Sequence, residues 1–149
     1  MLNLQQKPKW DIARVSHSTL VNADCFDVFP FIADKSVDAI IADLPYGTSK
    51  NKWDSVLPLD KLWEQYRRIL KDNWLVALFA SQPFTSALIM SNTKEYKYNW
   101  VWDKVNKFSG HLNAKKQPLR ITEDICIFYS KQPTYLSLIH ISEPTRLLS

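Results

Sequence analysis

Glycine is scarce in this chain. At a typical usage of about 7% a protein of this length would carry roughly ten glycines, and it has two, Gly47 and Gly110, 63 positions apart. Neither a Gly-x-Gly-x-x-Gly turn nor a Gly-x-x-x-x-Gly-Lys loop can be drawn from them. Sites that cradle a phosphate or nucleoside on a glycine-rich loop are therefore excluded from these 149 residues. Cysteine is equally sparse, and Cys25 and Cys126 form no Cys-x-x-Cys or Cys/His spacing. That argues against a structural zinc or a disulfide framework and for a reduced compartment. Long apolar runs are missing as well. No segment reaches the roughly 18 residues of a membrane span, and residues 1–9 are polar, without the apolar stretch of a secretion signal. A cytoplasmic protein with no membrane partner and no metal is the expectation.

What remains is ordinary globular composition, 46% apolar and 23% charged, enough for one domain with a core. The net charge of +4 is local. Residues 1–93 hold ten basic and ten acidic side chains, whereas 94–131 hold eight basic against four acidic. The segment carrying Lys94, Lys97, Lys104, Lys107, Lys115, Lys116, Arg120 and Lys131 is a candidate polyanion-facing surface, with a solvated loop as the plain alternative.

Apolar runs alternate with amphipathic stretches. Residues 19–22 read as a short strand, 25–32 as a brief helix and 33–36 as a turn. Residues 37–42, Val-Asp-Ala-Ile-Ile-Ala, read as a strand buried between two helical layers. From Leu59 apolar residues fall at 62, 63, 66, 69 and 70, one face of a helix, with Asp60 early and Arg67, Arg68 and Lys71 late, as the helix dipole favours. Lys71-Asp72-Asn73 reads as a turn into a buried strand over 74–79. Pro83 fits the first position of a helix reaching about Met90. Residues 96–102 alternate as a half-exposed strand, and 124–129 form another apolar run. Between these two, 103–118 has no helical period and is the candidate functional loop. This order predicts an α/β sheet with right-handed crossovers.

Asp43-Leu44-Pro45-Tyr46-Gly47 follows the strand at 37–42 directly. In an open α/β sheet, ligands bind at the carboxyl ends of the strands. The turn joins an acceptor carboxylate, a residue held extended by the following proline, an aromatic face and a glycine. Asp, Pro and Gly are also common in plain turns; the position at a strand end and the presence of Tyr46 favour a site.

Asp-Leu-Pro-Tyr-Gly resembles the Asp-Pro-Pro-Tyr motif of the amino-group DNA methyltransferases, which methylate adenine N6 or cytosine N4. Further segments are similar to a phage-type, restriction-associated branch of adenine-N6 enzymes: Asn22-Ala-Asp-Cys25, Asp34-Lys-Ser-Val-Asp38, Lys52-Trp-Asp54, Leu62-Trp63 with Arg67-Arg-Ile-Leu70, Leu78-Phe-Ala-Ser-Gln-Pro-Phe84 and Leu112-Asn-Ala-Lys-Lys-Gln-Pro-Leu119. The likeness covers roughly residues 18–135. It implies an incomplete Rossmann-like methyltransferase fold, α/β, with a mostly parallel sheet and helices on both faces. It also implies S-adenosyl-L-methionine as cofactor and double-stranded DNA as partner.

The family's chemistry suits the motif. An exocyclic adenine amine is a poor nucleophile because its lone pair is delocalised, and acceptors for its two N–H groups localise that pair for attack on a sulfonium methyl. By the resemblance, the catalytic residues are Asp43 (acceptor carboxylate), Leu44 (carbonyl), Pro45 and Tyr46, which stacks on the flipped base. Gly47 lets the backbone pass close to DNA, and Asp43 also borders the cofactor. Asp24 is a second cofactor candidate, near the adenosine in the family, although a helix cap for residues 25–28 explains it equally. Lys104, Lys107, Lys115 and Lys116 are candidate phosphate contacts, with Asn106 and Asn113 nearby. Trp53, Trp63, Trp74, Trp100 and Trp102 are read as core. Leu44 departs from the usual Pro-Pro pair, but its role is a main-chain carbonyl. Cytosine C5 chemistry needs a nucleophilic cysteine after proline, and neither cysteine follows one.

The family's Phe-x-Gly-x-Gly-like cofactor loop has no counterpart here, so the motif order resembles the permuted class in which the catalytic motif comes first. The expectation is an N-terminal extension over 1–17, the catalytic half of a methyltransferase over 18–135, and a non-native tail over 136–149 that resembles translated sequencing-adapter DNA. Such a fragment is expected to be inactive alone. The alternatives are a non-catalytic DNA-binding α/β module, or, among enzymes, transfer to cytosine N4 or to an RNA or protein amide nitrogen. The sequence sets neither the target site nor the oligomeric state.

Overall fold

The computed structural model describes residues 10–49, 51, 54–105, 114–116 and 118–136. Strands β1 (Asp11–Val15) and β2 (Ser18–Asn22) form an antiparallel hairpin that spans both sides of the expected boundary at residue 18. Helix α1 (Cys25–Val28) and a 3-10 turn at Phe29–Phe31 lead to β3 (Val37–Asp43). Helix α2 (Leu59–Ile69), β4 (Leu70–Ala80), α3 (Phe84–Ser91), β5 (Tyr96–Asp103) and β6 (Thr122–Phe128) follow. The main sheet has the order β3-β4-β6-β5.

The α/β class agrees with the expectation, and the mostly parallel sheet is not exact: β3, β4 and β5 run one way and β6 the other. Only β3 and β4 pair in parallel, because β6 lies between β4 and β5 and opposes both. The 18 residues between β5 and β6 include no described helix, and a strand that returns without a crossover helix pairs antiparallel. The connections β3-α2-β4 and β4-α3-β5 both step the same way across the sheet. Right-handed crossovers then put both helices on one face. Their buried residues, Leu62, Trp63, Tyr66, Ile69, Phe84 and Leu88, join Val76, Leu78, Ala80, Cys126 and Phe128 in a single cluster. Helices were expected on both faces; among the described residues the helical side chains share this one.

The expected burial of β3 between two layers is also corrected. In the described sheet β3 is an edge strand, its residues are exposed or half-buried, and Ile41 is 71% exposed. Lys71-Asp72-Asn73 fall where the pairing slips, since Leu70 pairs with Val37 and Leu75 with Ala39, so the triplet lies in an irregularity inside β4 rather than in a turn before it. Lys71 meets Asp38 at 2.7 Å and Asp72 meets Lys35 at 3.1 Å, so the polar triplet is carried on an exposed strand start.

Candidate active site

β3 ends at Asp43, whose carboxylate is exposed at the carboxyl edge of the sheet. Leu44 turns into the core at 7% exposure and anchors the turn. Burying that side chain fixes the backbone either side of it, which is what a main-chain acceptor at this position requires. The Tyr46 hydroxyl donates to Asp43 Oδ1 at 2.7 Å, and its ring stacks on Phe84 with centroids 5.3 Å apart and planes 20° apart. Burial, the Asp43 hydrogen bond and the Asp43 charge all push the Tyr46 phenol above its ordinary range, with Glu123 and Cys126 adding to the effect. It therefore stays a proton donor. Phe84 covers one face of the ring, so the other is the face available for stacking.

The loop after the motif is closed by Asp54. Its carboxylate accepts the Gly47 N–H at 2.8 Å and the Ser49 N–H at 2.6 Å. The Ser49 hydroxyl and the N–H groups of Ser49, Gly47 and Thr48 hold its pKa down at about 2. Gly47 has φ +67°, and a Cβ there would lie 2.9 Å from Val56 Cγ2. Its place in the structure is thus a left-handed loop residue with a committed N–H. Asp54 lay within a resemblance segment but was not singled out; an Asp shortly after Gly-Thr-Ser is the signal that would have found it.

A second polar group lies at the same sheet edge. Ser81, Gln82, Arg120, Thr122, Glu123 and Asp124 line a pocket of about 130 Å³. Arg120 donates to Ser81 Oγ at 2.7 Å and to the Gln82 carbonyl at 2.8 Å, and the Thr85 hydroxyl donates to Asp124 at 2.8 Å. Lys104 pairs with Glu123. Sequence reading missed this group; charged residues opening the otherwise apolar run of β6 were its signal.

The other expected site residues are dispersed. Asp24 caps α1, accepting the Phe26 N–H at 2.8 Å. Lys104 is a half-buried ion-pair partner and also lies over the Trp102 ring at 5.5 Å. Lys115 and Lys116 are exposed in a turn, while Lys107, Asn106, Asn113, Trp53 and the expected tail from 137 onward lie outside the described residues. Trp63 and Trp74 are core as expected. Trp100 and Trp102 are not, each being 47% exposed: they sit on the sheet face opposite the helices, where no described helix covers them. Cys126 is buried, and burial foremost, then Asp124, pushes its thiol up to about 12, which leaves it no thiolate to act as a nucleophile. Among the described residues no three His, Cys, Asp or Glu side chains gather as a metal site, and no helix is long and apolar enough to cross a membrane.

Residues 6–107 match the family described as RMKL-like, methyltransferase domain (UPF0020). No curated protein matches the chain. Among solved structures, the M1.HpyAVI-SAM complex superposes with a TM-score of 0.54 at 20% identity, over 83% of this chain and 58% of that one. A structure of M1.HpyAVI gives 0.47 at 21% identity, over 76% and 63%. The first shares the fold, and the chain spans less than two thirds of its length.

Proposed function

Because the chain belongs to the UPF0020 family of RMKL-like methyltransferase domains, we propose that it transfers the methyl group of S-adenosyl-L-methionine to the exocyclic N6 amine of adenine in DNA. The observation that carries this reading is the Asp43–Tyr46 turn: an exposed carboxylate at a strand's carboxyl end, hydrogen-bonded to a tyrosine whose ring is backed by Phe84.

The donor set fits the cofactor's reactive end. A sulfonium is a soft cation, and the exposed Asp43 carboxylate matches it by charge. M1.HpyAVI, which shares the fold, has been solved with SAM. Asp43 would hold that end, while one oxygen of Asp24 is already taken by its helix cap. When bound, the cofactor supplies an electrophilic methyl.

The rest is done by the chain. Tyr46 stacks on the flipped base, offsetting part of the unstacking cost of a few kcal/mol. Asp43 accepts one N–H of the amine with the lone pairs its Tyr46 bond leaves free, and the Leu44 carbonyl accepts the other, so the nitrogen lone pair points outward. The proton that the methylated amine must lose passes to the Asp43 carboxylate and on to water. The cytoplasm supplies both DNA and donor. The permuted, phage-type or restriction-associated subtype belongs to the same proposal, supported by the motif segments over 18–135.

The test uses the full chain and, beside it, a longer form whose reading frame continues past residue 135. Each is incubated with radiolabelled S-adenosyl-L-methionine and mixed-sequence duplex DNA, and the DNA is hydrolysed to nucleosides. Label in N6-methyladenine is expected from the longer protein, falling at least a hundredfold in its Asp43→Ala variant, on the scale of losing a transition-state hydrogen-bond partner. Label in N4-methylcytosine or in RNA would replace the substrate. DNA binding indifferent to both Asp43→Ala and Tyr46→Ala, with no transfer by either protein, would leave only a binding module.

A further inference from the structure

Helix α3 opens with Phe84 and Thr85, which are 3% and 1% exposed, and Leu88 one turn on is fully buried. Thr85 is a hydroxyl set among apolar side chains, where a valine of the same shape would avoid the cost of burying a polar group. Its Oγ1 donates to Asp124 Oδ2 at 2.8 Å. A helical threonine can donate instead to the carbonyl four residues back, and here that carbonyl, of Ser81, takes the Thr85 N–H at a long 3.3 Å. The Thr85 hydroxyl reaches to the sheet all the same. Asp124 is half-buried in β6, opposite Ala80 of β4 and Val101 of β5. Among the described residues this is the one side-chain hydrogen bond between α3 and the main sheet. Just before α3, Arg120 donates to Ser81 Oγ and to the Gln82 carbonyl. The segment carrying Phe84 is thus held on both sides by residues at the start of β6.

We propose that Thr85 and Asp124 are positioning residues for the Asp43–Gly47 turn. Their bond sets where α3 sits on the sheet, and so the plane of Phe84 and of the Tyr46 ring stacked on it. Apolar burial is non-directional and leaves a helix free to slide on a sheet, whereas a hydroxyl–carboxylate bond has a length and an angle. A satisfied polar pair inside an apolar contact selects one packing among several that burial alone would allow. The Tyr46 ring then has two fixed points, its hydroxyl on Asp43 and its face on Phe84. Neither Thr85 nor Asp124 is placed to touch substrate. A misplacement of about 1 Å far from the chemistry can cost on the order of a hundredfold in rate, so a helix slide of that size is enough to matter.

The inference rests on the reading above that Tyr46 receives the acceptor base, but its first measurement needs no methyl transfer. In the full chain with isotope-labelled tyrosine, the Tyr46 ring signals, assigned by Tyr46→Phe, report its stacking through the Phe84 ring current. Phe84→Leu should move them. Thr85→Val and Asp124→Ala should move them the same way, whereas Thr85→Ser and Asp124→Asn, which keep the donor and the acceptor oxygen, should leave them in place. The Tyr66 ring of α2, packed on Phe29 and Trp63, should hold its position in every variant. Tyr46 signals indifferent to Thr85→Val and Asp124→Ala overturn the positioning role. So do Tyr66 signals that shift with them, because the pair then holds the core as a whole. In the longer form that continues past residue 135, Thr85→Val and Asp124→Ala should lower kcat by about tenfold with KM for the methyl donor changed less than about twofold. Asp124→Asn should recover most of the rate, and an unchanged kcat in Thr85→Val overturns the role as well. If the parent of that form transfers no methyl group, the reading above fails, and the tyrosine signals still decide whether the pair sets the stack.

Discussion

The two faces of the main sheet are built from similar residues and differ in how far they are buried. On the helix-covered face Val76, Leu78, Ala80, Cys126 and Phe128 are almost fully buried, and Phe128 touches Trp63 at 4.8 Å and Tyr96 at 5.7 Å. On the other face the row Asp43, Phe79, Ile125, Trp100 runs from an exposed carboxylate to a half-exposed indole. An aromatic ring on the first face contributes stability through burial. Trp100 and Trp102 on the second keep about half of their surface exposed. The lesson is that position, not residue type, sets a side chain's exposure: on the second face Ala77 and Ile127 are almost fully buried, whereas Trp100 stays half-exposed.

The sharpest way to break that comparison is a matched pair of truncations. Phe128→Ala removes a fully buried ring and should destabilise by about 3–5 kcal/mol, a large part of the whole stability of a domain this size. Trp100→Ala, although it removes more atoms, should change stability by less than about 1 kcal/mol. Urea denaturation midpoints compare the two directly. Similar losses would mean that the second face is also core.

Gly47→Ala probes the turn at the sheet's carboxyl edge. The residue sits at φ +67°, where an alanine is strained by roughly 1–2 kcal/mol. The added Cβ also meets Val56 Cγ2 at 2.9 Å, but Val56 is exposed and can swing away. A loss of about 1–2 kcal/mol is expected, and Gly47→Asn should recover part of it because asparagine tolerates this conformation. Thermal melts of the two variants read the difference; an alanine variant as stable as the parent would show that the loop has another conformation.

Much of this was legible in the sequence where a period or a strand end encodes it. The helix expected from Leu59 ends at Ile69, because apolar residues three and four apart define a face irrespective of context. The Asp43–Gly47 turn was found because strand and motif adjoin. What periodicity cannot encode is direction and partner. The apolar run at 124–129 looks the same whether β6 runs parallel or antiparallel, although the missing helical period over 103–118 was the available clue. Lys71, Asp72 and Asn73 read as a turn by composition, and the structure puts the slip in the β3–β4 register at that triplet, with Lys71 beside Asp38 and Asp72 beside Lys35. Trp100 and Trp102 were misjudged because aromatic alternation shows that a strand has two faces and not which of them is covered.

The smallest effect separates the faces by pH. Asp54 holds the loop through the Gly47 and Ser49 N–H groups, and its folded pKa of about 2 lies below the ordinary carboxylate value near 3.8. A depressed folded pKa means that this contribution to loop order is complete above pH ~4 and is lost as pH falls through about 2. Between those values the loop should loosen while the helix-covered core, which contains no carboxylate among its buried residues, keeps its packing. The Gly47 amide proton shift should titrate with a midpoint near pH 2, ahead of any change in the Trp63 indole signal. Asp54→Asn should remove that titration and leave the Trp63 signal in place. A Gly47 midpoint near 4 would mean that the carboxylate does not hold the turn, and the Asp43–Gly47 segment would then depend on Leu44 and Phe84 alone for its shape.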